Sequence, residues 1–147
     1  MNTAQFDAPL PVRQSPAANS PRRRVRRWWS GITALLAATY FVQAAIAGAM
    51  MSGVAWARQA HAMTAAILIA SSLVASLIAL ISLRRAHHGP RLGLTLLLLA
   101  VAAFVQAAVG ALSAKGANLT WVHVPLGVAL IALAGQAAAS ARKLGGD

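Results

Sequence analysis

Two histidines, His61 and His123, are the residues whose type and spacing in this chain favour a binding site. Each follows a copy of the same pentapeptide, Phe-Val-Gln-Ala-Ala, which occupies residues 41–45 and 104–108, and a run of small residues and one Trp lie between. The similarity extends past each histidine to an Ile-Ala pair, and the second copy is one residue shorter before its histidine. The sequence therefore predicts a duplicated two-helix hairpin with one histidine in each copy.

Two neutral imidazoles that face each other favour one chemistry, the binding of a metal centre between them. Equivalent residues of a two-fold repeat face each other across its axis, and ionisable groups inside a membrane usually point inward. The chain has no Cys, and its two acids, Asp7 and Asp147, lie in the terminal tails, so no thiolate or carboxylate completes the coordination of a bare metal ion. We expect His61 and His123 to be the axial ligands of the iron of a b-type haem. The alternative is a structural pair bonded to backbone or water.

Four further side chains recur around the histidines and are candidates to contact the same cofactor. Arg58 lies just before His61, and Lys115 lies in the equivalent loop of the second copy, so both could pair with haem propionates or remain solvated. Gln43 and Gln106 lie about one helical turn deeper than the histidines. We expect each to make an interhelical hydrogen bond, for instance to the other, and contact with a porphyrin edge or a quinone is the alternative.

The elements that would position these side chains are long apolar helices. Of the 147 residues, 59% are apolar, and thirteen basic and two acidic side chains give too little polar surface for a soluble domain of this size. Four apolar runs, near residues 30–51, 59–83, 92–113 and 119–140, are long enough to cross about 30 Å of hydrocarbon as helices. We therefore predict an all-α membrane protein whose transmembrane domain, residues 28–142, is an up-down bundle of four helices with an internal two-hairpin repeat.

The basic residues predict how the bundle is oriented. Eleven Lys and Arg residues fall in the two tails and the middle loop, whereas only Arg58 and Lys115 fall in the other two loops. This bias places both termini in the cytoplasm of a bacterial-type cytoplasmic membrane. Residues 1–27, rich in Pro and Arg, are predicted to form a disordered basic tail that contacts anionic lipids rather than nucleic acid. Residues 143–147 are predicted to form a short cytoplasmic tail.

The layout resembles a known family. A Gln-containing pentapeptide, small residues, a short outer loop and a helix-starting His, repeated over four helices, are similar to one half of heme A synthase. They look closer still to small four-helix bacterial membrane proteins of unknown function that show Gln-x-x-x-x-Gly before each His. Gln43 and Gly48 match that spacing, whereas Gly110 of the second copy comes one position early. The resemblance covers about residues 33–141 and implies that the two histidines match paired axial haem ligands.

The departures from heme A synthase limit what the resemblance implies. The chain has no outer-loop cysteine pair, Arg58-Gln59-Ala60 stand where the synthase has a glutamate before its histidine, and there is one four-helix unit instead of two. Haem-oxidising activity is therefore not expected, and we predict a protein that is not an enzyme. Electron transfer or haem handling near the outer face, with a redox or membrane-complex partner, is the expected function. The alternative is a structural or accessory membrane protein without a cofactor.

Overall fold

The computed structural model describes residues 20–144, and this part of the chain is helical and contains no strand. Helix α1 spans Pro21–Met51, α2 spans Ala57–Ser82, α3 spans Gly89–Ala114 and α4 spans Thr120–Arg142. All four helices are long and apolar enough to cross a membrane. The predicted class, an all-α multi-pass membrane protein with four spanning helices, is confirmed.

Helix α1 begins earlier than the sequence predicts. The Ser20 hydroxyl caps it by accepting a hydrogen bond from the Arg23 amide at 3.3 Å, and the proline that follows Ser20 suits the first helical position. The prediction of a disordered tail is therefore wrong for residues 21–27, where arginines of good helix propensity continue the apolar helix. The rest of that prediction concerns residues 1–19, which lie outside the described range, as does the end of the predicted C-terminal tail.

Three short connections reverse the chain between helices. Gly53 and Gly116, at φ 81° and 101°, hold equivalent positions in the α1–α2 and α3–α4 loops, where a left-handed backbone favours glycine. The α2–α3 turn uses His88 at φ 63°, followed by Gly89, where a Cβ would collide with the Leu83 carbonyl oxygen. Connections this short make sequential helices antiparallel. Helices α1 and α3 therefore run in one direction, and α2 and α4 run in the other.

The four helices form a closed ring. Helix α1 packs against α2 and α4, and α3 packs against the same two helices. Over the described residues, the diagonal pairs α1–α3 and α2–α4 make no close backbone contact. Side chains of α2 and α4 that point toward the bundle axis therefore face each other across its interior.

The buried core occupies the half of the bundle in which α1 and α3 begin. Its largest contribution comes from interdigitated leucines and alanines, among them Leu68, Leu92, Leu96, Leu99, Ala134 and Ala137. In the other half, which comprises residues 41–67 and 104–129 and is called here the open half, Ala57 is the single buried residue. The two halves of the bundle therefore differ in packing density, and the predicted site lies in the loosely packed half.

The outward surface of the helices is apolar. Phe41 and Phe104, the first residues of the two pentapeptides, are 67% and 64% exposed. Many of the large aliphatic side chains on all four helices are exposed in the same way. A contiguous apolar exterior of this extent is unfavourable in water and suits contact with lipid.

Candidate functional site

The structure brings His61 and His123 together inside the open half. The two residues lie in the first turns of α2 and α4, which stand diagonally across the ring. Their ring centroids are 6.5 Å apart, with an angle of 64° between the ring planes. Both residues are half-buried. The two histidines that hold matching places in the sequence are therefore neighbours in the structure.

The distance between the rings matches the spacing of two imidazoles on one metal ion. An imidazole nitrogen binds a metal at about 2 Å, and the ring centroid lies about 1 Å behind that nitrogen, so two imidazoles on opposite sides of a metal have centroids about 6 Å apart. The observed separation of 6.5 Å is close to this value.

The two imidazoles carry polar atoms whose hydrogen-bonding capacity is unused. The Nδ1 atoms of His61 and His123 are buried and have no hydrogen-bond partner. A buried polar group without a partner costs about 1 to 3 kcal/mol, and such groups in native proteins usually mark a bound water, ion or ligand. Each ring therefore has a nitrogen that could bind a water, an ion or a ligand.

Each pentapeptide glutamine holds the backbone of the histidine in its own hairpin. The Gln43 side-chain amide donates to the His61 carbonyl at 2.9 Å, and the Gln106 amide donates to the His123 carbonyl at 2.8 Å. Each glutamine thus makes the interhelical hydrogen bond that the sequence predicts, but its partner is a backbone carbonyl in its own hairpin and not the other glutamine. The two equivalent bonds fix the height of each histidine against the preceding helix.

The two glutamines differ at the other end of the amide. Thr64, three residues after the first histidine, has its hydroxyl within hydrogen-bond distance of the Gln43 side-chain oxygen and of the Ala60 carbonyl oxygen, and its single proton can be donated to either. The corresponding residue after the second histidine is Leu126, which has no hydroxyl. As a result, the Oε1 atom of Gln106 is buried without a partner. The first hairpin provides a hydrogen-bond donor for the side-chain oxygen of its glutamine, and the second hairpin does not.

A glycine makes room for the ring of His123. A Cβ atom on Gly110 would lie 2.7 Å from Cε1 of that ring, a distance shorter than real contacts allow. A Cβ atom on Gly127 would approach the Gln106 amide nitrogen to 3.1 Å. In contrast, a Cβ atom on Gly48 would meet nothing within 4 Å. The second hairpin thus relies on missing side chains to bring α3 and α4 together around His123.

The inward-facing positions of the open half remain half-buried although four helices surround them. The residues concerned recur at helical spacing on each helix and include Gln43, Ala47, Thr64, Val109, Gly110 and Leu126. A fully packed bundle would bury such positions as the other half does. The two imidazoles therefore lie in the less tightly packed half of the bundle.

Arg58 and Lys115 lie at the same end of the bundle as the histidines, and both are exposed. Arg58 is the second residue of α2, and Lys115 caps the C-terminal end of α3. Since residues 20–144 contain no acidic side chain, neither cation has a carboxylate partner within that range. The structure therefore places both where an anionic group at the mouth of the open half could reach them.

No larger metal cluster is present in the described part of the chain. Three or more His, Cys, Asp or Glu side chains do not gather anywhere between residues 20 and 144. The remaining histidines, His87 and His88, sit in the α2–α3 turn at the opposite end, with ring centroids 4.1 Å apart. Any metal centre held by His61 and His123 would have two protein ligands, as a six-coordinate haem iron does.

Comparison of the chain with protein-family models, with curated proteins and with solved structures finds no match. The resemblance to one half of heme A synthase therefore rests on the sequence layout alone.

The sequence did not reveal the roles of Thr64, Gly110 and Leu126, at which the two hairpins differ. Alignment of the two copies on their histidines pairs Thr64 with Leu126, and that mismatch was visible in the sequence. The contact of Gly110 with the His123 ring has no comparable signal, because it depends on how closely α3 approaches α4. The sequence identified the shared features of the repeat and not the differences between its copies.

Proposed function

We propose that this membrane protein binds one b-type haem between His61 and His123 and serves electron transfer or haem handling. The observation that carries the proposal is the pair of imidazoles, whose ring centroids lie 6.5 Å apart in the open half. Haem iron is the metal centre that two axial imidazoles hold without further protein ligands. The loose packing of the open half supports the same conclusion, because a macrocycle needs space that a closed core does not leave.

The residues around the pair would act by holding and orienting. Bound haem would supply one-electron chemistry at its iron. Gln43 and Gln106 would set the height of the two histidines by holding their backbone carbonyls, an outer-shell role that metal ligands commonly need. Arg58 and Lys115 would pair with carboxylate groups at the mouth of the site, where a charge-assisted hydrogen bond is stronger than a neutral one.

The orientation and lipid contacts belong to the same proposal. In the described range, basic side chains gather at the end where α1 and α3 begin, and only Arg58 and Lys115 lie at the other end. This bias supports a cytoplasmic location for both termini in a bacterial-type cytoplasmic membrane. The arginines that open α1 would then contact anionic lipid headgroups. The histidine pair would lie near the outer face.

Titration of haem into the detergent-purified protein tests the proposal. We expect a Soret band typical of six-coordinate, low-spin iron at one haem per chain. His61→Ala and His123→Ala should each abolish that spectrum, whereas His87→Ala, which removes a histidine at the opposite end of the bundle, should leave it unchanged. A wild-type spectrum identical to that of haem in detergent alone would refute the proposal.

A second candidate is a structural or accessory membrane protein in which the two rings only pack together. The angle of 64° between the rings favours it, because edge-to-face contact is a favourable geometry for aromatic pairs in general. In that case the protein should purify without haem absorption, and His61→Phe should preserve both folding and assembly with its partner. Loss of a haem spectrum in His61→Phe, with the fold intact, would favour the first candidate.

A further inference from the structure

The side-chain oxygen of the glutamine in the second hairpin has no hydrogen-bond donor, whereas the equivalent oxygen in the first hairpin has one. Gln43 is bonded through both its amide nitrogen and its amide oxygen, to the His61 carbonyl and the Thr64 hydroxyl. Gln106 makes only the bond from its nitrogen, and its Oε1 is buried without a partner. Since a buried acceptor without a donor is unfavourable, this position calls for an O–H or N–H group from outside the chain.

A second unpartnered group lies on the same face of α3. Gln106, Gly110 and Ser113 are spaced at i, i+4 and i+7, which places them on one side of the helix. Several hydroxyls of this chain bond to the carbonyl one turn back, as Ser71 does at 2.7 Å, whereas the buried Oγ of Ser113 has no partner at all. The corresponding residue of the first hairpin is the apolar Met50. Of the four buried polar side-chain atoms without partners in the described range, three, on Gln106, Ser113 and His123, therefore belong to α3 and α4, and the fourth is Nδ1 of His61.

We propose that this seam, formed by Gln106 and Ser113 beside His123, binds a lipid-soluble quinol. A quinol brings hydroxyl donors on a flat apolar ring, which suits an acceptor and a hydroxyl set among apolar helices. The carboxylates of a b-type haem are acceptors when ionised, so they do not satisfy the Gln106 oxygen. The oxidised quinone offers acceptors only and should therefore bind more weakly than the quinol.

The quinol site goes beyond haem binding, because Gln106 and Ser113 carry it and neither is a haem ligand. The test uses the full chain without haem, so its outcome is separate from that of the haem titration. The probe is tetramethylhydroquinone under anaerobic reducing conditions. Its dimethyl ether, which has the same ring and no O–H donor, is the matched control ligand. We expect the wild-type protein to bind the quinol at least tenfold more tightly than the ether.

The repeat itself suggests the decisive variant. Leu126→Thr gives Gln106 the hydroxyl donor that Thr64 gives Gln43, so the acceptor is filled from within the chain. Leu126→Val is the matched control, because Val and Thr have nearly the same shape and only Thr has a hydroxyl. We expect Leu126→Thr to weaken quinol binding at least tenfold relative to Leu126→Val, with an equal or higher Tm. Ser113→Ala should weaken binding several-fold.

Three results would overturn the proposal. The first is equal affinity for the quinol and its ether, which would show partition into the apolar bundle without hydrogen bonding. The second is equal quinol affinity in Leu126→Thr and Leu126→Val. The third is no quinol binding by a wild-type protein that unfolds cooperatively on heating, which would assign the Gln106 oxygen to an internal water.

Discussion

Substitution of Gly110 by alanine is the sharpest test of how the second histidine is positioned. The added Cβ would lie 2.7 Å from Cε1 and 3.2 Å from Nδ1 of the His123 ring. Ordinary van der Waals contact begins at about 3.4 Å, so the ring or α3 must move by about 0.7 Å. A displacement of this size is about a third of the length of a metal–nitrogen bond, which is about 2 Å. We therefore expect Gly110→Ala to lose or weaken the bond from His123 to iron while His61 remains free to bind.

The stability effect of the same change is the sum of two opposing contributions. Overpacking costs about 1 to 3 kcal/mol, and replacement of a helical glycine by alanine recovers about 1 kcal/mol. The net expectation is a loss of up to about 2 kcal/mol, which a shift in thermal midpoint in detergent would report. Gly48→Ala is the matched control, since a Cβ there meets nothing within 4 Å, and it should be neutral or stabilising by up to about 1 kcal/mol.

Haem titration separates the two glycine variants. Gly110→Ala should give a mixed or five-coordinate, high-spin spectrum with at least tenfold weaker haem binding, whereas Gly48→Ala should keep the wild-type spectrum. The reasoning fails if Gly110→Ala binds haem with wild-type affinity and a low-spin spectrum. In that case the contact between Gly110 and His123 would have no part in placing the ligand.

Three further outcomes follow from other parts of the molecule. Tyr40→Phe removes the buried 3.1 Å hydrogen bond to the Ser72 hydroxyl and should lower the free energy of unfolding by about 1 kcal/mol. Haem affinity should not change, and a shift in the haem spectrum would contradict the separation of the packed core from the open half. Gly89→Ala places a Cβ against the Leu83 carbonyl oxygen and should destabilise the α2–α3 turn by at least about 2 kcal/mol in thermal unfolding, so an unchanged midpoint would contradict the turn geometry. Because the chain has no cysteine, Asn118→Cys should react with an impermeant maleimide from outside intact cells, and labelling only after permeabilisation would reverse the proposed orientation.

The fold was predictable from the sequence because the bilayer imposes it. Only a helix forms all its backbone hydrogen bonds within one apolar segment of about 20 residues. Four such segments with short connections therefore predict a four-helix bundle. The start of α1 was not predictable from apolarity, because the N-cap formed by Ser20 and the helix propensity of the arginines extend the helix beyond the apolar run.

The pairing of the histidines was predictable for a different reason. Each histidine follows a copy of the same pentapeptide, which predicts matching places for the two, and the structure brings their rings to 6.5 Å. The partner of each glutamine was not predictable in the same way. Gln43 and Gln106 each reach the histidine carbonyl of the adjacent helix, a choice set by the distance between neighbouring helices rather than by spacing along the chain.

The most direct test of a shared cofactor is the low-temperature electron paramagnetic resonance spectrum of the ferric, haem-loaded protein. Two axial imidazoles predict a low-spin signal from one haem per chain, lost in both His61→Ala and His123→Ala and kept in His87→Ala. A high-spin signal in the wild-type protein, or a low-spin signal that survives removal of either histidine, would contradict ligation by this pair.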